Sequence, residues 1–489
     1  MKKMVLFFFI GAMLLTGCNL PQAASPTAQP VGTGPVTALP ATLPAIDPTI
    51  TPMATPTEDL ARYDLLIVAP AEFAAALTPL IEHKNRTGMP AKLVTLDEVD
   101  KLCPGRDQAE QVKRCLAMYQ KDKGIRYAML VGNAAVFPVR YTMADIDTPE
   151  VFNTAYYGTD LYYADLYKAD GSFDDWDSNG NGIYGEIGGE MRPGLLNIDH
   201  VDLNPDIAVG RVPASDAAEV ATYVNKVIGY ELSAYHATWA KRLLLISSSS
   251  FDSSYCNYQE TVAGFFPSGM DLVRLYAPGN PCASTQPPDA ADILQNMNQG
   301  AGLVSYIGHG NMDLWADAVS VKDIADVQNE KQLSIVFAGG CGTGTFTIGA
   351  PGGPYVDING QVHAGAQAGE TFASIPPPPA VLQPDNAEGM MKYMLVQSPA
   401  GAVDYIGAIT GAQFPALFDL NTTFFKAIAN GDPTVGDAWN SAIRGYYALN
   451  QFDESYTNAD WYILARFHQP WKFLLFGDPS LRIGGVPAS

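Results

Sequence analysis

From Tyr63 onward the chain alternates short apolar runs with stretches of mixed polarity: YDLLIVAP, AKLVTL, YAMLVG, DIAVGR, RLLLIS, GLVSYIGHG, SIVFAGG and AVDYIGAIT. Apolar runs of about four to eight residues without polar alternation mark strands buried on both faces, the condition of a parallel sheet covered by helices. The stretches between them look helical, and Ala217 to Glu231 places its apolar residues at helical spacing. The pattern predicts an α/β fold, mostly parallel. A globular body of about 430 residues exceeds what one hydrophobic core normally serves. Two sub-domains, or one large two-part α/β body, are therefore expected, with the parts 59–235 and 236–489 divided at about Tyr235.

Two of the runs carry chemistry. VSYIGHG ends in His309-Gly310, and LSIVFAGGCGTGTF passes through Cys341. Parallel strands deliver the residues at their carboxyl ends into a shared crevice, so neighbouring strands of this kind bring imidazole and thiol together. The polar stretch 317–332 between them leaves room for a crossover. A lone Cys at a strand end is most often a small buried hydrophobe and a lone His a structural one. Here both follow an apolar run and both precede Gly. A histidine in reach of the thiol can take its proton, and backbone N–H groups of Gly310 and Cys341 can stabilise an oxyanion. The chemistry expected is that of a cysteine peptidase.

The GHG at Gly308-His309-Gly310 and the GGCG at Gly339 to Gly342 resemble the gingipain-type cysteine peptidases, relatives of caspases, legumains and clostripain. The stretches DIAVGRVPASDAAEVATYVNKVIGYE (Asp206 to Glu231) and FLLFGDPSLRIG (Phe473 to Gly484) resemble the same family, so the similarity covers roughly Tyr63 to Gly484. The resemblance implies a caspase-like fold with the site in the second sub-domain. It makes Cys341 the nucleophile, His309 the general base, and the N–H groups of Gly310 and Cys341 the oxyanion hole. Members that cut after arginine carry a carboxylate shortly after the strand that here reads RLLLISSSS, where this chain has the serine run Ser247 to Ser250. Asp252, two residues beyond, is a candidate orienter of the histidine or selector of a basic P1 side chain, or else a loop residue. Phe414, in GAITGAQFP, stands where the family places an aromatic wall of the S1 pocket; the other reading is an ordinary core aromatic.

The first residues read as a processing segment (1–18): Lys2 and Lys3, an apolar run from Val5 to Leu15, and the lipobox Leu15-Thr16-Gly17-Cys18. Removal of residues 1–17 would leave Cys18 as an acylated amino terminus, a lipid anchor without a membrane-spanning helix. From 19 to 58 the chain is rich in Pro, Thr and Ala and has no Lys or Arg, the composition of a disordered tether. The expected location is the bacterial cell envelope or surface.

A net charge of −22 argues against nucleic acid as a partner and leaves protein or peptide substrates. With Cys18 and Cys341 set aside, Cys103, Cys115, Cys256 and Cys282 remain. Cys103 with Cys115 and Cys256 with Cys282 are the sequence-local pairings, among three possible ones, and suit an oxidising compartment. DDWDSNGNGIYGE supplies oxygen ligands at calcium-loop spacing: Asp175, Asp177, Asn179, Asn181 and Glu186. A second register starts at Asp177 and uses Gly182 as the sharp turn; a turn without an ion is the other reading. The stretch from Ala350 to Pro384, with four successive prolines from Pro376, is either a loop bordering the cleft or a disordered insertion. The expectation is a lipid-anchored cysteine endopeptidase with structural calcium and no organic cofactor. The alternatives are an inactive binding or adhesive protein on the same fold, or a transpeptidase.

Overall fold

The structure, a computed structural model, describes residues 61–143, 154–189, 192–248, 255–277, 282, 287–384, 388–452 and 461–487. Its centre is one ten-stranded sheet. In chain order the strands are β1 (Leu65–Ala69), β2 (Ala91–Thr95), β3 (Tyr127–Val131), β4 (Ala208–Val212), β5 (Arg242–Ser247), β6 (Asp271–Tyr276), β7 (Leu303–Ile307), β8 (Ser334–Gly339), β9 (Ala402–Ala408) and β10 (Phe473–Phe476). Across the sheet they run β6-β5-β7-β8-β9-β10-β4-β3-β1-β2. Only β9 and β10 pair antiparallel. The apolar runs become strands because helices cover both faces; β1, β3, β4, β7 and β8 are buried at every position.

Each half repeats one winding. The chain lays down β1, adds β2 on one side, then returns to place β3 and β4 on the other; β5 to β9 do the same. Such a reversal opens a crevice beyond the carboxyl ends of the two strands flanking it, here β5 and β7. The helices of nine residues or more are α1 (Ala74–Arg86), α2 (Gln108–Lys123), α3 (Ala217–Ala234), α4 (Tyr255–Gly264), α5 (Ala290–Asn298), α6 (Phe414–Ala429) and α7 (Val435–Asn450). Several begin where an acidic side chain satisfies first-turn N–H groups: Asp107 caps α2, Asp216 α3 and Asp289 α5.

The division expected near Tyr235 falls at the carboxyl end of α3, between the two half-sheets. Residues 62–489 form one compact unit. The joint is β10, antiparallel to β9 and parallel to β4, so the last strand of the chain closes the gap between the halves.

Buried charge pins this joint. Lys84 of α1 lies 2.8 Å from Glu231 of α3 and 2.7 Å from Asp478, just after β10, and all three are about 1% exposed or less. His83 meets the other oxygen of Glu231 at 2.7 Å. Burial works against the Glu231 carboxylate, but Lys84 and His83 outweigh it and hold the pKa down at about 2. Asp404 of β9 accepts from the Asp478 N–H and from Tyr223. The Pro-rich stretch after β8 is anchored as well. Ala350–Pro351 pairs with the strand Thr154–Gly158, a hairpin joins Tyr355–Val356 to Val362–His363, and Tyr156 donates to the Pro376 carbonyl. Both flanks of the buried His363 ring meet carboxylates, Glu370 at 2.8 Å and Asp357 at 3.3 Å.

Candidate active site

β7 and β8 pair in parallel with Ile307 opposite Gly339. His309 and Cys341 each lie two residues past that last pair, so the register brings them to the same level at the carboxyl ends of adjacent strands. The glycines on either side allow the two turns to come together. A side chain on Gly340 would place its Cβ 2.9 Å from the Gly308 carbonyl oxygen and 3.3 Å from the Gly310 nitrogen. One on Gly310 would sit 2.8 Å from Thr343 Cγ2. GHG and GGCG are thus the residues of two backbones in close approach.

The imidazole of His309 is half-buried and meets the edge of Phe414 in a T-shaped contact, centroids 5.1 Å apart. Phe414, the first residue of α6, stacks on Tyr255 of α4 at 5.1 Å, which places an aromatic wall beside the histidine. Burial lowers the His309 pKa below 6.5, and the nearby Asp317 carboxylate opposes that shift. A histidine in this state is neutral near neutral pH and able to accept a proton. Asp317 sits at a left-handed bend, φ 55°, just after the small hairpin that follows His309. No sequence signal pointed to it.

The Cys341 side chain is buried, and the Ala412 N–H, from the segment ahead of α6, points at its sulfur at 3.4 Å. Gly310 opens the strand pair Gly310–Asn311 with Leu314–Trp315, which fixes its peptide beside the Cys341 turn. Asp252 and Cys18 lie outside the described residues.

The other candidate positions lie elsewhere. Cys103 is bonded to Cys115 (Cα separation 5.5 Å), and Cys256 of α4 to Cys282 (6.0 Å). Of the calcium-loop residues, four converge. Asn179 and Asn181 amides reach Glu186 at 2.5 and 2.9 Å, and Asp177 Oδ1 accepts from the Asn181 and Gly182 N–H groups. Gly182 turns there at φ 78°. Asp175 turns away to Arg106, which also contacts Asp177. Asp177, Asn179 and Asn181 belong to both registers, and Glu186 stands at position 12 when counting starts at Asp175. Asp199, unsuspected from the sequence, lies beside the group, its carboxyl pushed up to about 7 by burial and by the charges of Glu186 and Asp177. Turning the two amide oxygens inward would make an oxygen-rich pocket of the kind a hard cation takes. Carboxylates alone do not form one: among the described residues no group of three or more His, Cys, Asp or Glu side chains is placed to hold a metal. Among the same residues no helix is long and apolar enough to cross a membrane.

A doubly wound sheet presenting histidine and cysteine from neighbouring strand ends is the architecture of a caspase-like peptidase fold. Residues 58–484 match the sequence profile of peptidase family C25, and the chain belongs to that family. It is similar to gingipain R2 of Porphyromonas gingivalis, 19% identical over 298 residues, covering 59% of this chain and 33% of the relative. Gingipain R1 of the same organism is likewise 19% identical, with 59% of this chain and 24% of the relative covered. The chain thus spans about a third or less of the length of these relatives. Among solved structures, the arginine-specific cysteine proteinase gingipain R superposes with a TM-score of 0.57 at 15% identity, over 88% of this chain and 80% of the other. The complex of its pro- and mature domains from P. gingivalis superposes at 0.55 and 14% identity, over 86% and 79%. These likenesses establish the caspase-like fold.

Proposed function

We propose that the protein is a cysteine endopeptidase working through Cys341 and His309. One observation carries this reading: the β7/β8 register sets both residues at one level beyond the ends of adjacent strands. Family membership supports it. In the reaction, His309 takes the Cys341 proton and the thiolate attacks the peptide carbonyl. The oxyanion is met by the N–H groups of Gly310 and Cys341. The imidazolium then protonates the leaving amine, and water hydrolyses the thioester. The Phe414–Tyr255 wall would flank the P1 side chain, and Asp252 is the residue proposed to orient His309 or to receive a basic P1 group, by analogy with the arginine-specific relative. Incubation of reduced protein with a peptide library, read by mass spectrometry, tests activity and specificity together. Cleavage at a defined P1 supports the reading. Ligated products would identify a transpeptidase, and an untouched library would leave a binding protein on a peptidase fold.

The mature protein is proposed to be exported and held by acyl chains on Cys18, with 19–58 as tether and calcium bound by Asp177, Asn179, Asn181 and Glu186. The lipobox carries the first of these and the converging oxygen donors the second. Cys18→Ser protein should leave the detergent phase on partitioning; if it stays there, the lipid anchor is wrong.

A further inference from the structure

The turns that carry His309 and Cys341 are linked through the interior by a chain of aromatic side chains. On the histidine side, the Tyr306 hydroxyl donates to the His309 carbonyl at 2.5 Å and lies 3.0 Å from the Ser248 hydroxyl. The same His309 carbonyl accepts from the Ala316 N–H at 2.8 Å, so the backbone of the base is fixed from two directions. The Tyr306 ring lies nearly parallel to the indole of Trp315, 10° between planes and 4.7 Å between centroids. Trp315 Nε1–H donates to the Tyr405 hydroxyl at 3.2 Å, and Tyr405 donates to the Thr343 carbonyl at 3.0 Å. Thr343 closes the chain on the cysteine side, its hydroxyl donating to the carbonyls of Ala338 and Gly340 at 2.7 and 3.1 Å, around the turn that holds Cys341. Tyr306, Trp315, Tyr405 and Thr343 are each 1% exposed or less.

We infer that Trp315 and Tyr405 are positioning residues for the dyad, setting the His309 turn against the Cys341 turn without touching substrate; the inference rests on the peptidase reading above. The polar atoms of this chain have no water to turn to. Losing the Tyr405 hydroxyl would leave a buried indole N–H and a buried carbonyl unpaired, and either turn could relieve that by moving. Two turns this close, with glycines where side chains would clash, transmit such a shift to the distance between imidazole and sulfur. Small misplacements of reacting groups are expensive in rate, on the order of a hundredfold for about 1 Å.

The test uses the full reduced protein and two variants, Tyr405→Phe, which keeps the ring, and Trp315→Phe, which keeps an aromatic ring without the indole N–H. Each should lower kcat on a cleaved peptide roughly tenfold, with KM within about twofold of wild type. The double variant should lose no more than the worse single one, since both sever one link. A second readout is the rate of Cys341 alkylation by iodoacetamide against pH. A thiolate present at pH 6 requires the imidazole in place, so the variants should lose the acid-side rate and move toward an ordinary thiol, pKa about 8.5. If the wild type cleaves peptide and alkylates at pH 6 and both variants match it, the positioning inference is overturned while the peptidase reading stands. Losses in the two variants that simply add would also overturn it. Absence of both signals in the wild type would overturn the peptidase reading and this inference with it.

Discussion

Removing the Lys84 ammonium should unbalance the joint between the two half-sheets. In Lys84→Met the side chain still fills its place, but Glu231 and Asp478 lose the cation that lies within 2.8 Å of both. Both carboxylates are 1% exposed or less, so water cannot replace it. Breaking a buried pair in this way costs about 3–5 kcal/mol. A second figure, which Lys84 shares with His83, comes from Glu231. Its pKa falls from 4.5 to about 2 on folding, and a shift of that size is worth roughly 3 kcal/mol. A lowered carboxylate pKa gives stability that is fully present above 4.5 and is lost as pH falls through about 2. Urea unfolding of both proteins, each measured at pH 7 and at pH 3, reads the effect. At pH 7 the variant should be less stable by about 3 kcal/mol or more. At pH 3 the gap should shrink, because the variant's unpaired carboxylates can take up protons. A pH 7 difference below about 1 kcal/mol, or a gap as large at pH 3 as at pH 7, would refute the reasoning.

Three further outcomes follow from the geometry. Gly340→Ala puts a Cβ 2.9 Å from the Gly308 carbonyl and should force the two turns apart, lowering kcat/KM roughly ten- to a hundredfold while circular dichroism stays native; unchanged kcat/KM would show that the close approach is not needed. Asp317→Asn removes the charge that raises the His309 pKa, so the acid limb of the pH profile of kcat/KM should move to lower pH, and a move to higher pH would contradict the assignment. Calcium at about a hundredfold its dissociation constant should stabilise the wild type by roughly 2.7 kcal/mol, seen as a rise in melting temperature. Asp177→Ala should lose that rise and Asp175→Ala should largely keep it; equal loss in both would make Asp175 a ligand as well.

The strands were legible because burial on both faces leaves an unbroken apolar run, and GHG and GGCG were legible because they close two such runs. The connection of the halves was not. Nothing local in FLLFGDPSL says that β10 will pair antiparallel to β9 and parallel to β4. The charges behind the resembling segments were equally silent. Glu231 meets a lysine 147 positions earlier in the chain, and periodicity carries no information about partners at that separation. Asp317 escaped notice because it lies beyond a small hairpin from His309, at a left-handed bend that no local pattern announces. In the Asp175 to Glu186 segment the sequence offered five oxygen-bearing side chains in two registers, and it gave no sign that Arg106, some seventy positions earlier, would reach both Asp175 and Asp177, at 3.0 and 2.6 Å. The Pro-rich stretch after β8 is ordered partly by its own hairpin, Tyr355–Val356 with Val362–His363, and partly from far off in the chain, through Tyr156 and the strand Thr154–Gly158.

The central claim is that Cys341 and His309 act as one unit at the paired ends of β7 and β8, and the most direct measurement is kcat/KM of reduced wild type, Cys341→Ala, His309→Ala and the double variant on a single cleaved peptide. The account predicts that either substitution lowers kcat/KM by at least about a thousandfold and that the double variant is no worse than the single ones. Undiminished cleavage by either single variant, with native folding, would contradict it.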